Sequence, residues 1–258
     1  MQFRPCIDIH NGKVKQIVGS SLRDEGDLAR ENFVSEKGAA HFAELFRRDG
    51  LTGGHVILLN ARTSPYYEAT LDMALQALSA YPGGLQVGGS IRDDNADGFI
   101  RAGASHVIVT SFVFADGRIS YENLMRLERT VGREHLVLDL SCRKRDGRYY
   151  ICTDRWQKFT DTPLDRDLLY KLSEHCDEYL VHGIDVEGKG SGLDTELVSL
   201  LAGMEGFPIT YAGGIRSAAD LRTLRAAGGG RIHATVGSAL DIYGGDLPYA
   251  EVVNICKT

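Results

Sequence analysis

No apolar run in these 258 residues is long enough to cross a bilayer, which excludes a membrane-spanning helix. Basic runs are missing too, and with a formal charge of −6 neither nucleic acid nor an anionic membrane surface is an expected partner. A small anion stays open, because backbone amides rather than net charge would hold it. The cysteines (Cys6, Cys142, Cys152, Cys176, Cys256) are odd in number and show no CxxC spacing. That argues against a disulfide framework or a zinc site and for free thiols in a reducing cytosol. Linkers and low-complexity segments are lacking. Arg4 and Asp8 flank the first strand, so neither a signal nor a transit peptide is expected at the N-terminus, and the chain is expected to be cytoplasmic.

What is present is a strand-then-helix alternation, repeated eight times. Apolar strands are expected at Phe3–Ile9, His55–Leu59, Leu85–Val87, His106–Val109, His135–Leu140, Glu178–Val181, Ile209–Ala212 and Ile232–Val236. Between them run helical stripes: 36–49 with Ala39, Phe42, Ala43 and Phe46; 67–80 with Leu71, Ala74, Leu75 and Leu78; Leu124, Leu127 and Val131; Leu164, Leu168 and Leu172; Leu197, Leu200, Leu201 and Met204; and Leu221, Leu224 and Ala227. Asn11-Gly12 reads as a hairpin turn leading back along Val14, Ile17 and Val18 to Gly19. Residues 20–35 are too polar to pack and read as a mobile loop. Short apolar strands between helices mean a parallel sheet buried on both faces, and a chain of about 250 residues suits one closed (β/α)₈ barrel.

The last two strands end in glycine, at Gly213-Gly214 and at Gly237-Ser238. Ser217 and Asp220 then open a helix as an acidic variant of the capping box. Bare backbone N–H groups beside helix N-termini suit a phosphate monoester, and a barrel commonly binds phosphate after strands seven and eight. The same device occurs earlier, at Gly88-Gly89-Ser90-Ile91-Arg92 and at Thr110-Ser111. Spacings agree: 131 residues from Asp8 to Asp139, 125 from Gly88-Gly89 to Gly213-Gly214, 127 from Thr110-Ser111 to Gly237-Ser238, and 135 between the turns Asn11-Gly12 and Asp146-Gly147. The chain therefore reads as one domain over 1–258 built from two duplicated (β/α)₄ halves, about 1–132 and 133–258. A pseudo-two-fold axis along the barrel places one Asp on each side of the mouth and a cradle beyond each. That geometry suits a long substrate with a phosphate at both ends.

Taken together, Cys6-Ile7-Asp8-Ile9-His10-Asn11-Gly12-Lys13-Val14-Lys15-Gln16, the Gly88–Arg92 turn, Gly213-Gly214-Ile215 and Val236-Gly237-Ser238 resemble the phosphoribosylformimino-5-aminoimidazole carboxamide ribotide isomerases of histidine biosynthesis. The resemblance covers about residues 3–245 and is best with the branch of fungi and plants, notably at 181–188 and 237–242. It implies an Amadori rearrangement of a bis-phosphorylated aminoaldose to an aminoketose, with no cofactor and no metal. It further implies Asp139 as general acid and Asp8 as general base. An acid at Asp139 has to hold a proton although a free Asp titrates near ~3.9. Where the bacterial branch usually has a threonine after the strand-six histidine, this chain has Gly183, and where that branch closes strand two with an acidic residue it reads Leu58-Leu59-Asn60.

The lone tryptophan, Trp156, stands beside Arg155 in the fifth loop, where an indole could stack on the aminoimidazole and Arg155 pair with phosphate, or where the ring simply packs the loop. His182 either orients substrate or is structural, and Gly19 either approaches a phosphate or makes a turn. Arg143, Lys144 and Arg145 read as a solvated cluster. The rival readings are the cyclase of the next step, an isomerase that also accepts phosphoribosyl anthranilate, and a non-catalytic phosphosugar-binding barrel. The cyclases typically carry a lysine eight residues after the first Asp; here that position is Gln16, and alternation points Lys15 the other way. Two carboxylates facing a bis-phosphate would only weaken a pure binder. A monomer is expected.

Overall fold

The computed structural model describes residues 1–17, 29, 31–154, 156–186 and 192–257. The chain enters the sheet at β1 (Cys6–His10), whose Ile7 and Ile9 pack outward against the helices. Alternation then turns Cys6, Asp8 and His10 inward. Asn11 and Gly12 both take positive φ, 52° and 70°, and make a two-residue turn into β2 (Lys13–Ile17). The polar stretch after it does not remain a loop to residue 35. Its end is β3 (Glu31–Val34), antiparallel to β2. Propensity is overridden by the free edge of β2, by the Lys15–Glu31 ion pair, and by Phe33 against Tyr243.

Helix α1 (Ala39–Arg48) buries Ala39, Phe42, Ala43 and Phe46, the face its spacing predicts. A fully buried Phe contributes roughly 1.5–3 kcal/mol. The first half continues through β4 (Gly54–Leu58), α2 (Tyr67–Ala80), β5 (Leu85–Gly88), α3 (Ala96–Arg101) and β6 (Val107–Val109). A small hairpin, β7 (Phe114–Ala115) with β8 (Arg118–Ile119), leads to α4 (Tyr121–Val131), which Ser120 caps by accepting the Asn123 N–H. The second half starts again at β9 (Leu136–Asp139). A three-stranded excursion follows: β10 (Cys142–Arg145), β11 (Arg148–Thr153) and β12 (Lys158–Pro163). Then come α5 (Arg166–Leu172), β13 (Glu178–His182), α6 (Thr195–Leu201), β14 (Ile209–Ala212), α7 (Ala218–Ala227), β15 (His233–Ala234) and α8 (Tyr249–Lys257). Leu164 and Met204 are buried but lie outside α5 and α6, because Asp165 caps α5 just after Leu164 and α6 stops at Leu201.

Eight strands run parallel in the order β1-β4-β5-β6-β9-β13-β14-β15, with β2 and β3 appended to β1. Closure comes from Phe3, which bridges Ala234 in parallel, and from Arg4 N–H to Ala234 O and Ala234 N–H to Gln2 O at 2.8 and 2.9 Å. The architecture is a (β/α)₈ barrel, with an antiparallel hairpin after its first strand and another after its fifth. Strand eight is shorter in the ladder than expected, yet Thr235 N–H still reaches Tyr211 O.

The interior is layered. At the N-terminal strand ends Arg4 is ion-paired with Glu178, which also accepts from Gln86 and Thr210 at 2.8 and 2.6 Å. Ile108, Val137 and Leu180, with Ile57, fill the middle. Asp8 and Asp139 belong to the C-terminal layer, the face where barrel enzymes carry their chemistry.

Candidate active site

Asp8 lies in the middle of β1 and Asp139 closes β9, both on the C-terminal side of the barrel. Both are half-buried. Asp139 is held from two sides. Its Oδ1 accepts the Ser141 N–H at 2.8 Å and also the Ser141 hydroxyl, while its Oδ2 accepts the Thr110 hydroxyl at 3.0 Å. A hydroxyl can donate or accept, so Thr110 and Ser141 can keep Asp139 in place in either protonation state. Thr110, expected in a phosphate cradle, thus commits its side chain to the second carboxylate. Asp8 Oδ2 accepts from Gln16 Nε2 at 3.3 Å.

Ser141 was not singled out in the sequence. The signal was there in Asp-x-Ser, since an Asp that bonds the N–H two residues on makes a common local turn.

Beyond each carboxylate the glycine turns repeat in backbone conformation. Gly89 and Ser90 have φ of 100° and 55°, and Gly213 and Gly214 have 113° and 73°. The structural equivalence is Gly89 with Gly213 and Ser90 with Gly214, 124 residues apart, one fewer than the double glycines suggest. A Cβ on Gly89 would run into Leu58 O, and one on Gly213 would meet Gly183 O at 2.8 Å, so each turn lies against the carbonyl at the end of the neighbouring strand. Gly88 has a different reason to be glycine: it leaves room for Ile57 and Ile108 in the barrel core. Ser90 O accepts from Asn95 Nδ2, and Asn95 Oδ1 accepts the Arg92 N–H, which fixes the first turn. The exposed Arg92 guanidinium lies 5.1 Å from the centre of the Phe112 ring. At the second turn Ser217 accepts the Asp220 N–H, but the short Asp220 carboxylate reaches the Arg216 N–H rather than that of Ser217.

Ser111 and Ser238 are exposed where β6 and β15 run out, on the side of these turns. Gly19 and Arg155 lie outside the described residues. Trp156, with φ of 66°, rests on His182 at 4.3 Å between ring centroids. The fifth-loop sheet that carries it is fastened to the sixth loop and α6. Arg143 Nε and Lys144 N–H both reach Asp185, at 3.2 and 2.7 Å; Lys144 Nζ pairs with Glu196 at 2.6 Å; and the Tyr149 hydroxyl bonds Asp194 at 2.8 Å. The basic cluster is therefore mostly engaged, and Arg145 lies 4.4 and 4.7 Å from the ring centres of Tyr150 and Phe159. Asn60 ties down the first hairpin, accepting from Asn11 N–H and the Thr70 hydroxyl at 2.8 and 2.7 Å.

All five cysteines are buried, and none is in a disulfide. Among the described residues no group of three or more His, Cys, Asp or Glu side chains is placed to share a metal ion.

A family model described as "Histidine biosynthesis protein" matches residues 2–248. A relative from Medicago truncatula is 56% identical, covering 98% of this chain and 81% of its own, and is named 1-(5-phosphoribosyl)-5-((5-phosphoribosylamino)methylideneamino)imidazole-4-carboxamide isomerase, chloroplastic. Relatives from Yarrowia lipolytica and Saccharomyces cerevisiae carry the same isomerase name at 43% and 40% identity, with 95% of this chain covered and 93% and 94% of theirs. The chain belongs to the histidine biosynthesis protein family and, within it, to the isomerases that these plant and fungal relatives represent.

Proposed function

We propose that this isomerase rearranges a bis-phosphorylated aminoaldose into its aminoketose by general acid–base catalysis. The observation that carries the reading is the pair of half-buried aspartates in β1 and at the end of β9, together with the two positive-φ glycine turns on the same side of the barrel. Asp139, held by Thr110 and Ser141, protonates the ring oxygen of the reacting ribose, and the ring opens to a protonated Schiff base. Asp8 then takes the proton from C2, the electron pair moves into the C1–C2 bond, and a neutral enolamine forms. Asp8 returns its proton at C1 while the C2 hydroxyl gives up its proton to Asp139, which completes the ketose and restores both carboxyl groups with no net change in protons. Each positioned acid or base contributes about 10²–10⁴-fold.

Substrate ends are held by backbone N–H groups at Gly89-Ser90 and Ser111 on one side and at Gly213-Gly214 and Gly237-Ser238 on the other. Glycine lets phosphate oxygens come close to such amides. Trp156 on His182 offers an aromatic face to the aminoimidazole. One chain supplies every one of these groups, so a monomer suffices. Buried thiols outside any disulfide suit a reducing compartment, the cytoplasm or, as in the name of the Medicago relative, a chloroplast.

Conversion of the relatives' aminoaldose by the purified protein, read through a coupled cyclase that consumes the ketose, tests the reading. Steady turnover supports it. Tight binding of the aminoaldose without turnover would leave a phosphosugar-binding barrel.

A further inference from the structure

Lys15 and Gln16 are consecutive, both nearly inaccessible at 6% and 4% exposure, and their heads go to different places. The Lys15 ammonium pairs with Glu31 on β3. Gln16 Nε2 donates to Asp8 Oδ2 at 3.3 Å. The ladder between β2 and β3 shifts register between Gln16 and Ile17, and such a bulge re-aims the side chain beside it. The other end of the same amide lies against Gly237. Its Oε1 stands 2.6 Å from where a Cβ on Gly237 would sit, so in this rotamer Gln16 occupies space that a side chain at 237 would take. The Cys6 Sγ lines the same spot at 3.5 Å from that point.

We propose that Gln16 is a positioning residue that couples the strand-eight phosphate cradle at Gly237 to the base Asp8. The inference rests on the isomerase reading. A phosphate gripped by the Gly237-Ser238 amides fixes the backbone against which Gln16 packs, and Gln16 in turn fixes the carboxylate. Binding energy from a remote phosphate is thereby converted into orientation at C2. The choice of an amide over the adjacent ammonium has a chemical reason. A cation beside a carboxylate stabilises its ionised form and weakens it as a base, whereas a neutral donor fixes its position with much less effect on its basicity. A contact of 3.3 Å is long for N–H···O, as catalytic hydrogen bonds often are before the Michaelis complex draws them in.

The test is kinetic. Gln16→Met keeps the length and removes the amide; kcat is expected to fall about tenfold or more, with KM changed much less, because misplacing a catalytic group by about 1 Å can cost 10²-fold. Gly237→Ala is expected to lower kcat to a similar extent, through displacement of Gln16, while also raising KM. Combined, the two changes should cost in kcat no more than the larger single one. Gln16→Lys should move the acid limb of the kcat/KM profile to lower pH and reduce its plateau. Wild-type kcat in Gln16→Met, additive losses in the double variant, or an unmoved pH profile in Gln16→Lys would each overturn the coupling. If Gln16→Met does not fold, the pH profile of Gln16→Lys decides alone. Absence of turnover in the wild type would overturn the reaction itself instead, so the two failures are distinguishable.

Discussion

The indole of Trp156 rests on the imidazole of His182, ring centroids 4.3 Å apart and planes tilted by 53°. The contact joins the loop after β12's neighbour β11 to the end of β13, and it stands on the loop docking made by Asp185, Asp194 and Glu196. Stacking and packing, alternatives in the sequence, are here compatible: the ring packs on His182 while remaining half-exposed. An aromatic pair contributes about 0.5–1.5 kcal/mol beyond burial. Trp156→Ala is therefore expected to lower kcat/KM about tenfold with little change in melting temperature, and Trp156→Phe to restore most of it. Steady-state kinetics on both variants check this; an unaffected Ala variant would limit the indole to packing the loop.

Asp8→Asn and Asp139→Asn should each reduce kcat by about 10²–10⁴-fold while substrate binding persists, because the change removes proton transfer and preserves shape. Calorimetric titration with the aminoaldose, beside single-turnover rates, separates the two effects. Full activity in either variant would remove that aspartate from the mechanism.

Much of this site was legible because the duplication writes it twice. Asp8 and Asp139, the two hairpin turns and the two glycine turns recur at nearly constant spacing, and periodicity alone placed α1 and α2. Three things were not legible, each for a physical reason. β3 depends on an edge that only the folded β2 provides. The one-residue change in the glycine equivalence is a matter of φ, which double glycines do not reveal. Thr110 looked like a phosphate ligand because its position matches Gly237-Ser238, yet in the fold its hydroxyl reaches across from β6 to Asp139 on β9. Pairing between strands decides that, and the spacing of motifs does not report it.

Gly89 and Gly213 are expected to tolerate no side chain. In Gly89→Ala the new Cβ meets Leu58 O, and in Gly213→Ala it meets Gly183 O at 2.8 Å, on a backbone at positive φ that already costs L-residues roughly 1–2 kcal/mol. Both obstacles are main-chain atoms that cannot rotate away. Each variant should lose at least about 2 kcal/mol in urea unfolding, with Gly89→Ala the worse, and KM should rise in whatever fraction folds. Wild-type stability in Gly89→Ala would show that the turn can relax.

Glu178 anchors the N-terminal layer by its ion pair with Arg4 and its bonds to Gln86 and Thr210. Removing one partner of a buried pair strands the other, at about 3–5 kcal/mol. Glu178→Ala should therefore lower the urea midpoint markedly. Because this layer is at the opposite end of the barrel from Asp8 and Asp139, kcat measured on folded protein at low temperature should stay near wild type. A large loss of kcat at unchanged stability would place Glu178 in the chemistry.

Acid sensitivity should also originate in that layer. His55 is buried beside Arg4, and burial first, then the charges of His182 and Arg4, lowers its pKa from 6.5 to about 4. His233, half-buried and near Arg4, is lowered to about 3, by partial burial first and then by the Arg4 charge. Above pH 6.5 both residues are neutral in the folded and unfolded chain alike, and they contribute no pH dependence. As pH falls below 6.5 the unfolded chain takes up protons that the folded chain refuses, so stability declines until the folded pKa is reached. For His55 the loss between about pH 6.5 and 4 is on the order of 3 kcal/mol. Urea unfolding at pH 7 and pH 4.5 should show a larger drop for the wild type than for His55→Gln, which cannot titrate, whatever the carboxylates contribute to both. Equal drops would mean that the folded barrel admits the proton at His55, and that the Arg4 layer is more open to water than its burial implies.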